Sequence, residues 1–586
     1  MNVRDTVRNA WLKKIDNKQC FKSQELNCND LSNETKYKFN DRSISNKRIE
    51  DDNNNLKIGK RQKIEVISLL SDEESSNDDE ISLIKSNNSI DKDIISDNSI
   101  DKDIILNNSI DKDIILSKSI DKDIILNNSI DKDIKSNDSI DKDIISNNSI
   151  DKDIITIFKA PFKPLHNPVY DQPKLLNSIT ISDILSNQLI VESYLFTYYL
   201  DFDHIMKYYN FNSIDKIHII CGNIINMTKN NNHHFLIYDI KMKPYTSHHC
   251  KLIINEYNDG TIKLFLLSCN LMPAEFLMNN QMIWESPKLF KNDNNDNSQF
   301  KINLIKFIDS YDSILQNGKS LKFLSNYLNQ YDFSSIIGDF ISSVPTTINS
   351  NFGYQGLINS LNSKSHMKNN RNKVQIVYQS SSIASAINYE QKTGKIGNIF
   401  THLILPKIFN HERLKNGSEE LDNFLQLNKI ELYLIYPTLE NIEKSYFGKA
   451  SGTWSNFNAF NNNKSKDHYK MLSKYFYKPY SKQRTYLTSH TKYLFQSSDN
   501  FETLDWVFLT TANISKQAWG LKVIENFETG IFISKNHYIG KILKPVSIDY
   551  DLKNLKDNEI AINIPFDLPP EKYDSNDIVW CASGYN

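Results

Sequence analysis

A chain of 586 residues, 39% of them hydrophobic and with a net charge of −2, is long enough for two or more domains if its polar part is segregated from the cores. Six cysteines, Cys20, Cys28, Cys221, Cys250, Cys269 and Cys581, form no C-x-x-C and no regular framework, which excludes a disulfide scaffold or zinc ribbon and fits a reducing compartment. No charged n-region with an apolar h-region follows Met1, and no run of about 18 apolar residues occurs, so neither secretion nor a membrane span is expected.

Residues 1–155 read as a disordered tail, rich in Asn, Ser, Asp and Lys and nearly free of aromatics after Phe39. Lys57, Lys60, Arg61 and Lys63 form a short basic cluster of the kind used for nuclear import. It precedes IEVISLLSDEESSNDDE, where Val66, Ile67, Leu69 and Leu70 lead into Asp72, Glu73 and Glu74. This segment resembles a SUMO-interaction motif, an apolar strand that adds to a sheet edge beside flanking acids. The alternative is an apolar island next to an acidic run. From Ser89 to Ile154 a ten-residue unit, SIDKDI plus four variable residues, repeats. Ten residues are too few for one stacked unit with a core, so low-complexity expansion is the default reading and a partner-binding array the other. Setting aside the net −1 of each of the seven DKD triplets and the six acids of Asp72–Glu80 leaves the remainder at +11. A polyanionic partner for the body is consistent with that excess.

A Pro-punctuated linker, FKAPFKPLHNPVYDQP from Phe158, spans 156–181 and leads into the folded region. Apolar runs then interleave with helical patterns through SDILSNQLIVESYLFTYYL, KIHIICG and HHFLIYDI. A hairpin follows, with Asn258-Asp259-Gly260 as its turn. IGDFISSVPTTINS is the expected transition to a second half, where KVQIVYQSSS and IELYLIYPTLENIEKS repeat the plan. The expected fold is α/β: two similar α-β-α sandwich halves, 182–345 and 346–586, with a shared active site between them and a long disordered tail ahead.

The chemistry is carried by a duplicated pattern. In TSHHCKLIINEYNDGTIKLFLLSCNL, His249-x-Lys251 opens one apolar run and Asn270 follows the next. In TSHTKYLFQSSDNFETLDWVFLTTANIS, His490-x-Lys492 and Asn513 do the same. The His-to-Asn spacings are 21 and 23 residues, and the two histidines lie 241 residues apart. In a strand, residues i and i+2 share a face, so each His and Lys project together while the Asn emerges from the end of the following strand. The alternative is two unrelated hairpins whose histidines satisfy local backbone groups; the shared Thr-Ser-His and Asn-aliphatic flanks favour duplication.

Lys and Asn bind phosphoryl oxygens, and His supplies nucleophilic or acid–base chemistry. Two histidines placed across a phosphodiester permit a two-step displacement: one attacks phosphorus while the other protonates the leaving oxygen, then activates water. A bell-shaped pH dependence follows. No Asp/Glu/His cluster has two-metal spacing, so no metal or other cofactor is expected and chelators should leave the rate unchanged.

These residues resemble the phospholipase D superfamily and, within it, the tyrosyl-DNA phosphodiesterases. The superfamily's usual H-x-K-x4-D is not met, since Glu256 and Ser497 occupy the Asp positions; tyrosyl-DNA phosphodiesterases also lack those Asp and place Asn later, as Asn270 and Asn513 do. The likeness extends through Gln281-Met-Ile-Trp284, Leu434-Ile-Tyr-Pro437, Asn513-Ile-Ser-Lys-Gln-Ala-Trp-Gly520, Glu528 and Asp567-Leu-Pro-Pro-Glu571, and covers about Ser182 to Tyr573. It implies His249 as nucleophile and His490 as acid and then base. It further implies Lys251, Lys492, Asn270 and Asn513 on the phosphate, and Gln281 and Glu528 orienting the imidazoles. The implied substrate is a DNA end, single-stranded or duplex, whose 3′-phosphate is esterified to a tyrosyl peptide, as a stalled type IB topoisomerase leaves it. The implied setting is nuclear DNA repair by a monomer without membrane attachment, with SUMO or sumoylated proteins as further partners of the tail. Ser381, Ser382 and Ser385 are implied DNA phosphate contacts, and Tyr245 a base-stacking residue. Trp454 is a candidate for the peptide side; the chain ends soon after Trp580, shorter than the resemblance leads one to expect. The rival readings are another superfamily phosphodiesterase, phospholipase or nuclease, and a catalytically silent scaffold binding DNA ends or SUMO.

Overall fold

The computed structural model describes residues 157–586 apart from 172–173, 229–232, 245, 293–295, 317, 349–350, 364–372, 583 and 585–586. The tail, with its decamer repeat and the SUMO-motif residues Val66, Ile67, Leu69 and Leu70, lies outside the described residues.

Two seven-stranded sheets organise the fold. In spatial order the first holds Phe235–Tyr238, Lys216–Ile225, Ile190–Asp201, Leu252–Tyr257, Ile262–Leu267, Met282–Glu285 and Phe162–Pro164. The second holds Phe476–Tyr477, Ile430–Ile435, Val374–Gln379, Lys492–Ser497, Trp506–Thr510, Glu528–Ser534 and Asp339–Ser343. Numbered by chain order within each sheet, both read 4-3-2-5-6-7-1, with the same parallel and antiparallel pairings throughout. The duplication seen in two motifs is therefore a duplication of whole sheets.

Strand periodicity assigns the layers. Leu252, Ile254, Leu264 and Leu266 of the first sheet share one cluster with Tyr493, Phe495, Val507 and Leu509 of the second. The helix Gln299–Asp309 adds Phe300, Leu304, Phe307 and Ile308 to that shared layer. The intervening residues face outward. Ile253, Phe265 and Leu267 pack into a cluster on the far side of the first sheet. Leu494, Trp506 and Phe508 do the same on the far side of the second. Both faces of each sheet are thus buried, which is why the strands read as nearly unbroken apolar runs. Each such side chain contributes about 1.5–3 kcal/mol by leaving water.

Two stretches take places the sequence reading did not give them. The Pro-punctuated stretch is built into the first sheet: Phe162–Pro164 pairs with Met282–Trp284, because Phe162 supplies one more inner-layer ring. The segment read as a transition contains Asp339–Ser343, which pairs with Glu528–Phe532 as the edge strand of the second sheet. Between the halves, buried Arg484 donates to Asp171, to Asn280 Oδ1 (2.7 Å) and to the carbonyl of Leu165 (2.8 Å). It ties the N-terminal stretch and both halves together. Among the described residues no helix is long and apolar enough to cross a membrane.

Candidate active site

Both hairpins form as their spacing predicts. Leu252–Tyr257 and Ile262–Leu267 pair around a turn that Gly260 closes at φ 76°, a left-handed conformation that glycine adopts without a Cβ penalty. Lys492–Ser497 pairs with Trp506–Thr510. Asn270 and Asn513 sit just past the second strand of each hairpin, and a short helix follows each: Pro273–Met278, and Lys516–Trp519 with Ser515 as its cap. Gly520, at φ 85°, ends the latter.

Each histidine is set by the opposite half. The chain before His249 runs beside Phe527: the His249 N–H donates to the Phe527 carbonyl (2.9 Å), and the Phe527 N–H to Ser247 (2.9 Å). The next residue, Glu528, therefore meets the ring, with Oε2 2.8 Å from His249 Nδ1. Thr511 Oγ1 (2.6 Å) and Asn526 Nδ2 (3.2 Å) also donate to Glu528. The second half mirrors this. Thr488–Ser489 pairs in parallel with Asn279–Asn280, and Gln281 follows with its amide nitrogen 3.2 Å from His490 Nδ1. Ser268 donates to Gln281 Oε1 (2.6 Å), as Thr511 does to Glu528; each hydroxyl stands two residues before its Asn.

The lysines fold back on their own strands. Lys251 Nζ donates to the His249 carbonyl (2.9 Å), and Lys492 Nζ to the His490 carbonyl (2.8 Å), while also lying 2.9 Å from His490 Nε2. Asn513 Oδ1 accepts from Ser380 Oγ (3.1 Å), Ser381 Oγ (3.1 Å) and the Ser382 N–H (3.0 Å). With its carbonyl end saturated, its amide nitrogen is the end available to an anion. Asn270 Oδ1 accepts from the Tyr199 N–H (3.3 Å), and its Nδ2 donates to Glu275.

The electrostatics show that the two sets converge. Burial lowers His249 below its ordinary value, with Lys251 and the opposite half's Lys492 adding to the effect and Glu528 opposing it. Burial and Lys492 push His490 down to about 4, with Lys251 of the other half contributing and Glu275 opposing. Burial lowers Lys251, and burial plus Lys251 lower Lys492 well below the usual lysine range. Two lysines and two imidazoles thus gather beside the buried carboxylates Glu528 and Glu275, a donor-rich set suited to holding an anion. The His249 side chain is 15% exposed and that of His490 4%, so the His249 ring is the more accessible of the two. Among the described residues no group of three or more His, Cys, Asp or Glu is arranged to hold a metal ion.

All eight residues of the sequence-derived set, His249, Lys251, Asn270, Gln281, His490, Lys492, Asn513 and Glu528, thus meet in one site. The serines fare differently. Ser381 is 1% exposed and its hydroxyl donates to Asn513 Oδ1, which places it behind that amide. The Ser382 N–H is likewise engaged with Asn513, whereas Ser385 is exposed. Tyr245 lies outside the described residues. Trp454 stands 6.2 Å from the His490 ring, centroid to centroid, and Tyr198 5.7 Å from the His249 ring.

Sequence reasoning missed Glu275. This fully buried carboxylate accepts from the Asn270 N–H (2.8 Å) and the Asn270 side chain, and its Oε2 lies 3.3 Å from His490 Nδ1. The one signal for it is an asymmetry: five residues past Asn270 stands Glu275, and five past Asn513 stands Ala518.

A sequence profile of the tyrosyl-DNA phosphodiesterase family matches residues 164–574. The tyrosyl-DNA phosphodiesterase 1 of Saccharomyces cerevisiae is 24% identical over 472 residues, covering 72% of this chain and 85% of that one. That of Drosophila melanogaster is 24% identical over 361 residues, 57% of each chain. A crystal structure of the yeast tyrosyl-DNA phosphodiesterase matches with a TM-score of 0.62 at 24% identity, over 72% of this chain and 99% of that one, a likeness of fold. Since the profile runs from the first strand of the first sheet past both hairpins and Glu528, this chain belongs to the tyrosyl-DNA phosphodiesterase family.

Proposed function

We propose that the protein is a DNA repair phosphodiesterase that hydrolyses the ester between a DNA 3′-phosphate and a tyrosine. The observation that carries this reading is the meeting of two His-Lys-Asn sets, one from each of two equivalent sheets, each imidazole backed across the interface by Glu528 or Gln281.

His249 is the nucleophile. The Glu528 carboxylate holds the ring proton on Nδ1, which leaves the Nε2 lone pair to attack, and this ring is the more exposed of the two. His490 Nε2 is engaged by Lys492 Nζ at 2.9 Å, so this ring acts once a phosphate oxygen takes the ammonium in its place. The Nε2–P bond forms as the P–O bond to tyrosine breaks, and His490 gives its proton to the departing phenolate. His490 then takes a proton from water, whose oxygen attacks phosphorus. The P–N bond breaks, leaving a DNA 3′-phosphate and neutral His249. Lys251, Lys492 and the amides of Asn270 and Asn513 hold the non-bridging oxygens throughout. Burial and the neighbouring ammonium groups depress His490; a bound negative diester offsets the latter and so favours the protonated ring that the acid needs. Phenolate, with a pKa near 10, leaves more readily than an alkoxide, which suits removal of an adduct rather than rapid cutting of intact DNA.

The setting we propose is nuclear, on DNA ends carrying a 3′-tyrosyl peptide, with the protein acting as a monomer and the tail meeting SUMO. The test is incubation of a 3′-phosphotyrosyl oligonucleotide with the parent, His249→Ala and His490→Ala in EDTA. Loss of tyrosine release in His249→Ala and of repeated turnover in His490→Ala is expected; full activity in His249→Ala would end the reading.

A further inference from the structure

Because the two halves are so nearly equivalent, a chemical difference around their imidazoles is informative. His249 has a carboxylate at Nδ1, whereas the matching position behind His490 holds the neutral amide of Gln281. An amide is a poor partner for an acid. Its Oε1 already accepts from Ser268, and its N–H groups, 3.2 Å from Nδ1, favour an unprotonated Nδ1. With Lys492 also donating toward Nε2, His490 would then face donors at both nitrogens. Donating a proton requires that the ring first carry protons on both.

Glu275 supplies the missing acceptor. It enters from the helix Pro273–Met278, whose counterpart in the second half, Lys516–Trp519, carries Ala518 at the matching position. We propose that Glu275 is the positioning residue of the leaving-group acid: its carboxylate accepts from His490 Nδ1 and favours the doubly protonated ring, while its grip on Asn270 fixes the phosphate at the same distance from that ring. Three contacts carry this. Oε2 lies 3.3 Å from His490 Nδ1, Oε2 also accepts the Asn270 N–H at 2.8 Å, and the Asn270 side chain donates to Oε1. The carboxylate is fully buried, so every partner it has is a protein group of this site. Such a charge is retained only where hydrogen bonds and opposite charge compensate it. Here Asn270, His490 and the nearby Lys251 do so, and although burial alone would push Glu275 up, they hold it at about 2. The site is then a double carboxylate–imidazole device whose carboxylates arrive by unrelated routes.

The inference rests on the hydrolytic reading above and is tested in the full chain with two substrates: an oligonucleotide 3′-phosphotyrosine, and the same oligonucleotide with a 3′-(4-nitrophenyl) phosphate, whose leaving group needs no proton. Glu275→Gln should slow release of tyrosine on the order of 10–100-fold more than it slows release of nitrophenol, which loses only what the weakened grip on Asn270 costs both substrates. The ratio of the two rates does not depend on how much of the variant is folded. The alkaline limb of the variant's pH–rate profile on the tyrosyl substrate should also move to lower pH, since Glu275 is the group that raises His490. Equal losses on both substrates with an unmoved profile would reduce Glu275 to a packing role and overturn the proposal while leaving the hydrolytic reading intact. A parent protein that cleaves neither substrate would overturn both.

Discussion

Replacing Glu528 by Gln keeps the shape behind His249 and removes the charge, and the hydrogen bonds around it set the expected cost. Glu528 accepts from His249 Nδ1 (2.8 Å) and Thr511 Oγ1 (2.6 Å) at one oxygen and from Asn526 Nδ2 (3.2 Å) at the other. Asn526 is itself pinned, because its Oδ1 accepts the Ser247 N–H (3.0 Å). Three donors therefore converge on an acceptor-only group. A glutamine in one orientation satisfies His249 and Thr511 and sets its own N–H groups against Asn526. In the other it points an N–H at His249 Nδ1, which moves the ring proton to Nε2, the attacking atom. Either way a charge-assisted bond of about 1.5–3 kcal/mol is lost, and at about 1.4 kcal/mol per tenfold this predicts a 10- to 150-fold slower first step. Rapid-quench, single-turnover release of tyrosine from a 3′-phosphotyrosyl oligonucleotide measures it, with thermal melting run alongside. A folded Glu528→Gln variant within threefold of the parent rate would refute the claim that this carboxylate sets the tautomer.

Other outcomes follow from the same structure. His490→Ala should lower turnover by about 10²–10⁴-fold and leave DNA covalently attached to His249, visible as a mass increase; a slow variant without adduct would argue against the order of steps. Arg484→Met leaves Asp171 buried without its cation, so stability should fall by about 3–5 kcal/mol, read as an earlier denaturant midpoint; an unshifted curve would contradict the tie between halves. Burial holds His248 and His468 near 3 and His402 and His490 near 4, below the ordinary 6.5. Between pH 6.5 and about 4 the unfolded chain thus binds more protons than the folded one, and stability falls as pH falls, by up to about 1.4 kcal/mol per pH unit for each group. Denaturant midpoints at pH 7.5, 6 and 5 should decline in that order, and a level series would show that these rings are not held neutral.

Much of this protein is written locally. His249-x-Lys251 and His490-x-Lys492, each opening an apolar run that turns and returns to an Asn, encode two hairpins through period-two burial and turn chemistry spanning some twenty residues. The resemblance those residues carry leads to Gln281 and Glu528. What local pattern cannot encode is which groups meet across the fold. Glu528 faces His249 across 279 residues of chain, and Gln281 faces His490 across 209, because Phe527 and Asn280 hydrogen-bond to the backbone of the opposite half. Phe162–Pro164 reads as a linker because three residues among prolines have no visible periodicity; only the edge of the first sheet gives Phe162 an inner face to fill. Ser381 reads as a surface hydroxyl until Asn513 is seen to claim it. Glu275 is the sharpest case. A lone Glu after a proline looks like any first-turn acid of a helix, and only the approach of the second half puts His490 beside it. Side-chain identity and short-range periodicity are properties of neighbouring residues and can be read along the chain. The partner of a buried charge is a property of two distant segments packed together, so it exists only once the tertiary fold has formed.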